Sequence, residues 1–336
     1  PELAANAFPR GVLGALLTAS QSRTLDLSDL ASTDGPSAPG STGLWAAGNI
    51  GFGDRDASRN RSGFKFKTSG ISIGADHRFS NKLVLGVGLG YARDRTSIGN
   101  GGTQSRARAT SLSLYGSFQP PSESVFVDGL VGYGVLDYDT ERFVDALTEV
   151  NLPQGVEPTK HYARASRDGS QIFGSIAAGY ESPRESGFLW SPYARLDFSR
   201  HQLDRATETG AGQYALTYFK QNLTHADLSL GIRAQWEHEL RRGGVALPQI
   251  RLEYTRNLKS DGRASLAYAD LIDGPRYSVP AVGDDRDALT LGVGSDFVLC
   301  SGVNLGIDYQ FRHSSGAENS QGLQFRLAKE LGVAKR

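Results

Sequence analysis

The sequence predicts an all-β protein: a twelve-stranded antiparallel up-and-down transmembrane β-barrel with an N-terminal α-helix inside the pore. Three observations predict it. From Gly43 onward, run after run alternates apolar and polar residues with a period of two, the mark of strands with two unlike faces. The runs are about 9–17 residues long, where ordinary strands have about 5–6 and a tilted membrane-crossing strand needs about 9–11. The connections alternate long and short, as they do when tight turns gather at one rim of a barrel and large loops at the other.

Taken in order, residues 1–42 form a linker. Phe8, Val12, Leu13, Leu16 and Leu17 fall at helical spacing, and Pro9 suits a first turn, so a helix is expected over about 10–30. The small-residue stretch STDGPSAPGSTG (32–43) follows. The barrel occupies 43–336, with strands near 43–53, 66–79, 82–95, 106–119, 124–139, 169–182, 187–203, 224–240, 245–258, 287–299, 303–313 and 320–328. Twelve strands leave room for roughly one helix in the lumen, and the segment before the first strand is the natural occupant. An even strand number puts both ends of the barrel at the short-turn rim.

The two faces of each strand differ in kind. In VNLGIDYQFRH (303–313) one face is Val303, Leu305, Ile307, Tyr309 and Phe311, and the other is Asn304, Gly306, Asp308, Gln310 and Arg312. Leu228, Leu230, Ile232 and Trp236 oppose Ser229, Gly231, Arg233 and Gln235 in the same way. A soluble sandwich would turn the polar face outward and enrich it in lysine. Here the polar faces mix Arg, Asp, Glu and Gln with Gly, Ser and Ala, which suits a confined, hydrated lumen. Aromatics near strand ends (Phe79, Tyr91, Phe118, Tyr138, Tyr180, Trp190, Trp236, Tyr254) suggest interfacial girdles.

Composition narrows the function classes. Net charge is zero, so nothing drives nucleic-acid binding through bulk charge. No run of about 18 apolar residues exists to make a transmembrane helix. Cys300 is the single cysteine and forms no intrachain disulfide. The chain begins at Pro1 without methionine or signal peptide, and it reads as a processed or excised piece of a longer product.

Several segments together resemble a family: SGISIGADHRF (69–79), LVLGVGLGYARDRTSIG (83–99), SLYGSF (113–118), VFVDGLVGYG (125–134), SPYARLDFSR (191–200), LSLGIRAQWE (228–237), PQIRLEYTRNL (248–258) and the closing strands. In order and spacing, over about 43–328, the chain resembles the C-terminal translocator β-domain of classical autotransporters, the type V secretion proteins. The resemblance implies an outer-membrane barrel of a Gram-negative bacterium, with long loops extracellular and both barrel termini periplasmic. It implies that the barrel supports export of its own N-terminal passenger to the cell surface. The implied partners are outer-membrane lipid, the barrel-assembly machinery and periplasmic chaperones; the chain would be a monomer and bind no nucleic acid. The pore helix would carry Val12, Leu13, Leu16 and Leu17. Family members usually end on an aromatic residue, and here Leu323, Phe325 and Leu327 keep the alternation while further residues follow. Some members cleave the passenger at an Asn-Asn pair; this sequence has none, and no such self-cleavage is expected. The alternative is a freestanding outer-membrane pore or adhesin barrel without passenger.

Charge facing lipid is costly, so the ionisable strand residues are expected to line the pore: Asp76, Asp128, Arg195, Asp197, Arg233, Glu237, Arg251, Glu253, Asp296 and Asp308. Two readings fit them, and both can hold. One is a polar conduit that holds the helix and passes an unfolded chain; the other is a self-neutralising network that braces the wall. No catalytic, cofactor or metal site is expected, and the chain reads as no enzyme. GVGLGY (86–91) lies inside a strand, and its glycines give a narrow inner face rather than a phosphate loop. DDRD (284–287) has too few ligands for calcium and reads as a solvated loop. A barrel protease would need His–Asp pairs such as His201 with Asp204 or His225 with Asp227, and these read instead as exposed loop residues.

Overall fold

The computed structural model describes residues 40–57, 62–119, 124–144, 161–184, 187–241, 243–280, 286–316 and 318–331. The expected helix over about 10–30 and its Val12, Leu13, Leu16 and Leu17 lie outside the described residues. Among the described residues there are sixteen strands. The first seven are β1 (Thr42–Arg55), β2 (Phe64–Ser80), β3 (Leu83–Ile98), β4 (Thr103–Phe118), β5 (Val125–Phe143), β6 (Tyr162–Tyr180) and β7 (Phe188–Leu203). After them come β8 (Ala206–Thr207), β9 (Leu216–Tyr218), β10 (Gln221–Trp236), β11 (His238–Glu239) and β12 (Val245–Tyr268). The chain closes with β13 (Tyr277–Pro280), β14 (Asp287–Val298), β15 (Val303–Ser314) and β16 (Glu318–Leu331).

Twelve long strands pair antiparallel in the cycle β1–β7, β10, β12, β14, β15, β16 and back to β1. The closing seam runs without a break from Thr42↔Leu331 to Arg55↔Glu318. A sheet surrounded by hydrocarbon must close in this way, because unpaired backbone groups find no water there. The same seam places the start of β1 and the end of β16 at one rim, beside the turn that joins β2 to β3.

The alternation decides which face points out. Ile73, Leu89, Leu112, Tyr133 and Ile172 stand side by side in register across β2–β6, and each is about half exposed. Leu305, Ile307, Tyr309 and Phe311 are exposed too, while on the opposite face Gly306 is buried and Asp308, Gln310 and Arg312 are half-buried. Apolar outside and polar inside is the reverse of a soluble sandwich. Aromatics ring the short-turn rim: Tyr180 packs on Trp190 with centroids 5.7 Å apart, and Phe188 on Trp236 at 5.6 Å. Tyr138 departs from the expected girdle. It is fully buried, because Tyr133 and Val135 fix the outward parity of β5 and residue 138 falls on the inner face.

Two further expectations are corrected. The strands run further toward the long-loop rim than the apolar pattern indicates: β3 reaches Ile98, β4 starts at Thr103 and β6 at Tyr162. Pairing continues there with charged residues such as Arg93, Arg95, Arg106 and Arg108 on the outer face, so the apolar-outside alternation ends before the hydrogen bonding does. The connection expected over 96–105 is therefore the tight turn 99–102, with Gly99 and Gly102 at positive φ. The interior is also less uniformly polar than expected. Trp45, Val84, Tyr115, Leu130 and Phe173 form a buried cluster on the inner face.

The outward rows make a direct prediction. Leu112→Arg should destabilise the barrel by about 2–4 kcal/mol, read from reversible urea unfolding in lipid vesicles. An exposed site on a soluble sheet would shift by less than about 0.5 kcal/mol.

Candidate functional site in the barrel interior

The inner wall is assembled from one recurring local device. A glycine on one strand sits in register between two large side chains on the flanking strands, and those two meet across it. Asp76 (β2), Gly86 (β3) and Tyr115 (β4) are such a row: the Tyr115 hydroxyl donates to Asp76 Oδ2 at 3.0 Å, and Trp45 Nε1 donates to the same hydroxyl. Tyr193 (β7), Gly231 (β10) and Glu253 (β12) form a second, in which the Tyr193 hydroxyl donates to Glu253 Oε2 at 2.7 Å. Asp296 (β14), Gly306 (β15) and Arg326 (β16) form a third, with Arg326 Nη2 donating to Asp296 Oδ1 at 2.6 Å. A Cβ on Gly86 would collide with the Tyr115 ring, one on Gly231 with the Tyr193 ring, and one on Gly306 with both Asp296 and Arg326. These three inward glycines thus mark where long polar side chains cross the wall, as Gly74 and Gly132 make room for the Trp45 and Phe173 rings.

Around these rows the charges gather into groups. Arg195 donates from Nε to Asp197 Oδ2 and from Nη2 to Glu253 Oε1, both at 2.9 Å, and Ser175 Oγ donates to Asp197 Oδ1 at 2.7 Å. The group bridges β6, β7 and β12, reaching over β10. Arg326 lies 2.7 Å from Asp308 as well as 2.6 Å from Asp296. Gln249 extends that group, donating from Nε2 to Asp296 Oδ2 at 3.3 Å, while Arg251 Nη2 donates to Gln310 Oε1 at 3.2 Å. Arg233 donates to Glu181 at 2.9 Å, with both side chains about 5 % exposed. Charges of opposite sign at these distances, with extra hydroxyl and amide donors, are the arrangement that tolerates burial.

The sequence-derived residues are thus partly brought together. Arg195, Asp197 and Glu253 share one group, Asp296 and Asp308 belong to another, and Arg251 bonds Gln310. Asp76 and Asp128 are buried on the inner face. Glu237 lies past the end of β10, exposed, 3.5 Å from Arg184. Sequence reasoning missed Arg326, Glu181, Tyr193 and Tyr115. The parity rule could have found Arg326, which alternates with the exposed Phe325 and Leu327.

At the long-loop end, the outer part of β12 leaves the barrel and pairs with β13 and β9, so the stretches expected as loops over 204–223 and 259–286 carry a small sheet. Glu208 is buried there, bonded by Arg142 at 2.9 and 2.6 Å, by the Tyr218 hydroxyl at 3.0 Å and by the Leu216 amide at 2.9 Å. Burial, and then the Glu208 carboxylate, push the Tyr218 phenol well above its usual range.

The expectation that His201 and His225 are exposed loop residues is overturned. Both lie on strands and are buried, at 1 % and 7 % exposure, because they share the inward parity of Ser199 and Ser229. The acids considered with them point elsewhere: Asp204 is 4.0 Å from Lys220, and Asp227 accepts from Asn257 at 2.6 Å. Of DDRD, residues 284 and 285 lie outside the described residues, and Asp287 is 3.6 Å from Arg256. Among the described residues, no group of three or more His, Cys, Asp and Glu gathers to hold a metal.

Comparison with known proteins decides the family. The model of the autotransporter β-domain matches residues 44–310. The chain belongs to the autotransporter β-domain family. This β-domain is an outer-membrane translocator of the Gram-negative type. It is 25 % identical over 328 residues to outer membrane protein B of Rickettsia typhi, covering 92 % of this chain and 19 % of that protein. It is 26 % identical over 290 residues to an extracellular serine protease of Serratia marcescens, covering 85 % of this chain and 26 % of that protein. The β-domain thus spans about a fifth to a quarter of these relatives. Its fold is similar to the translocator domain of the autotransporter NalP from Neisseria meningitidis, with a TM-score of 0.66 at 15 % identity, covering 96 % of this chain and 99 % of that one. It is also similar to the β-domain of the Bordetella autotransporter BrkA, with a TM-score of 0.56 at 17 % identity, covering 85 % and 98 %.

The interior groups predict a ranking of mutants. Arg195→Ala strands two buried carboxylates and should cost about 3–5 kcal/mol. Tyr193→Phe removes one donor from Glu253 and should cost about 1–3 kcal/mol. Urea unfolding in detergent micelles measures both, and a reversed order would contradict the assigned network.

Proposed function

We propose that this β-domain exports a passenger that precedes it in the full-length protein, and that residues 10–30 remain in the lumen as a helix with Val12, Leu13, Leu16 and Leu17 among its contacts. The carrying observation is the inner wall of ion pairs. Its arginines and carboxylates engage one another and neighbouring hydroxyl and amide groups, so the wall presents a polar surface to a sliding chain. The ten charges expected to line the pore are assigned this role, with Glu237 at the rim. The small share of the relatives' length that the chain spans supports a large region outside it, whose activity is separate from the barrel. The β-domain is assigned no catalysis: the candidate His–Asp pairs have their acids engaged elsewhere.

The orientation follows from the rims. The tight-turn rim, which also holds both barrel ends, is assigned to the periplasm, and the rim with the folded loop sheet to the cell exterior. The exposed apolar belt would aggregate in water, which supports passage through periplasmic chaperones. The β1–β16 seam must form as the sheet enters lipid, which supports insertion by the barrel-assembly machinery. A closed sheet leaves no edge for a second copy, and the β-domain is read as a monomer.

Planar-bilayer conductance separates this reading from a freestanding pore. The full chain should conduct weakly, and a chain beginning at Gly40 should conduct several-fold more. Equal conductance would contradict an occupied lumen.

A further inference from the structure

The outward face of β2–β4 changes character abruptly beyond the apolar belt. The row Ile73–Leu89–Leu112 is followed toward the long-loop rim by Ile71–Tyr91–Thr110. The next outward row holds Arg93 directly opposite Arg108, and the one after it holds Lys67, Arg95 and Arg106 side by side. Lys65 stands one step further on β2. All six cations are exposed. Successive outward rows are about 7 Å apart, so the tier starts where a bilayer's acyl region gives way to headgroups.

Like charges facing each other across strands destabilise a sheet unless something lies between them. The neighbouring acids are Asp54 beside Lys65, Asp139 beside Arg106, and Asp137 beside Arg108, with Asp168 next to Asp137. Among the described residues none of these four closes to ion-pair distance on the six cations. Arg93 instead lies over the Tyr91 ring at 5.2 Å and donates to its hydroxyl at 2.8 Å. Elsewhere beyond the belt, Arg164 pairs with Glu141 at 2.8 Å and Arg256 with Asp287 at 3.6 Å, and Arg200 faces Ile172 and Thr224 rather than another cation. This patch carries six cations against four carboxylates, and its four arginines form two opposed pairs.

We propose that this patch is a binding site for a multiply phosphorylated lipid of the leaflet on the long-loop side. The guanidinium forks of Arg93, Arg95, Arg106 and Arg108 take the phosphate oxygens, for which their planar geometry is suited. The acyl chains lie on Ile71, Ile73, Leu89 and Leu112, continuous with the belt. The bound phosphates relieve the repulsion between the opposed arginines. Free phosphate would use the same forks without the apolar rows, and the lipid is assigned because the two surfaces adjoin. Binding to the patch rests on the lipid-facing surface alone; assigning that leaflet to the cell exterior rests on the orientation proposed above.

The test uses the full chain folded in detergent, with folding checked by heat-dependent gel mobility. Native mass spectrometry reads binding of diphosphorylated lipid A, dephosphorylated lipid A and monophosphorylated phosphatidylglycerol. The variants are a fourfold Arg→Gln at positions 93, 95, 106 and 108, the same fourfold Arg→Lys, and a control with Arg164→Gln and Arg256→Gln. Diphosphorylated lipid A should bind the unaltered chain and the control alike, and about tenfold or more weaker in the Gln variant. The Lys variant should retain intermediate binding, and excess inorganic phosphate should not displace the lipid. Equal binding by the unaltered chain and the Gln variant overturns the proposal. So does equal binding of the phosphorylated and dephosphorylated lipids by the unaltered chain, a result that stands even where the Gln variant does not fold. Full displacement by inorganic phosphate overturns the lipid assignment. The assay reads no conductance, so its failure leaves the export reading to its own test.

Discussion

The seam between β1 and β16 is the constraint on which the rest depends. With Thr42 paired to Leu331 and Arg55 to Glu318, the sheet has no first or last strand, and each barrel strand has a neighbour on either side. That closure lets a polypeptide backbone stand in hydrocarbon. It also fixes parity around the ring. Once β1 directs Leu44, Ile50 and Phe52 outward, each paired neighbour must place its own apolar set at the same level on the same side. A one-residue slip anywhere would turn a row such as Arg195, Asp197 and Ser199 toward lipid.

The interior answers the problem that closure creates. A ring of twelve strands encloses side chains that cannot all be apolar, because apolar residues are needed outside. The glycine rows resolve it locally. Each removes one side chain so that two others can reach one another: Tyr115 to Asp76, Tyr193 to Glu253, Arg326 to Asp296. Hydrogen bonds and ion pairs then tie alternate strands together on the inside, while backbone bonds tie adjacent strands in the wall. Stiffness of this kind lets the barrel stay closed around whatever its lumen holds.

Much of this was legible in the sequence, and the reasons differ by region. The short-turn ends of the strands were legible to within a few residues, because the apolar belt and its flanking aromatics run up to them. The long-loop ends were not. In ARDRTSI and TQSRARA the outer face turns charged while the inner face holds Ala92, Ile98, Ala107 and Ala109, so the apolar-outside contrast that marks the belt is lost although pairing continues. Parity told that Asp308, Glu253 and Arg195 share the inner side, but it could not tell which meet. Arg195 finds Glu253 on a strand two places away, diagonally past its own β10 partner Ser229, in a register that no single strand reveals. His201 and His225 fall inside the expected strands, and only their parity, shared with Ser199 and Ser229, places them on the inner face; Tyr138 stands near a strand end but on the inner side.

The most direct test of the orientation is a label scan along Val303–His313. With Cys300 replaced by serine, single cysteines are placed at each position, coupled to an environment-sensitive fluorophore and reconstituted with brominated lipid. The account predicts quenching with a period of two, strong at Leu305, Ile307, Tyr309 and Phe311 and weak at Gly306, Asp308 and Gln310. Quenching that peaks at the second set, or that shows no alternation, would contradict a lipid-facing apolar surface around a polar interior.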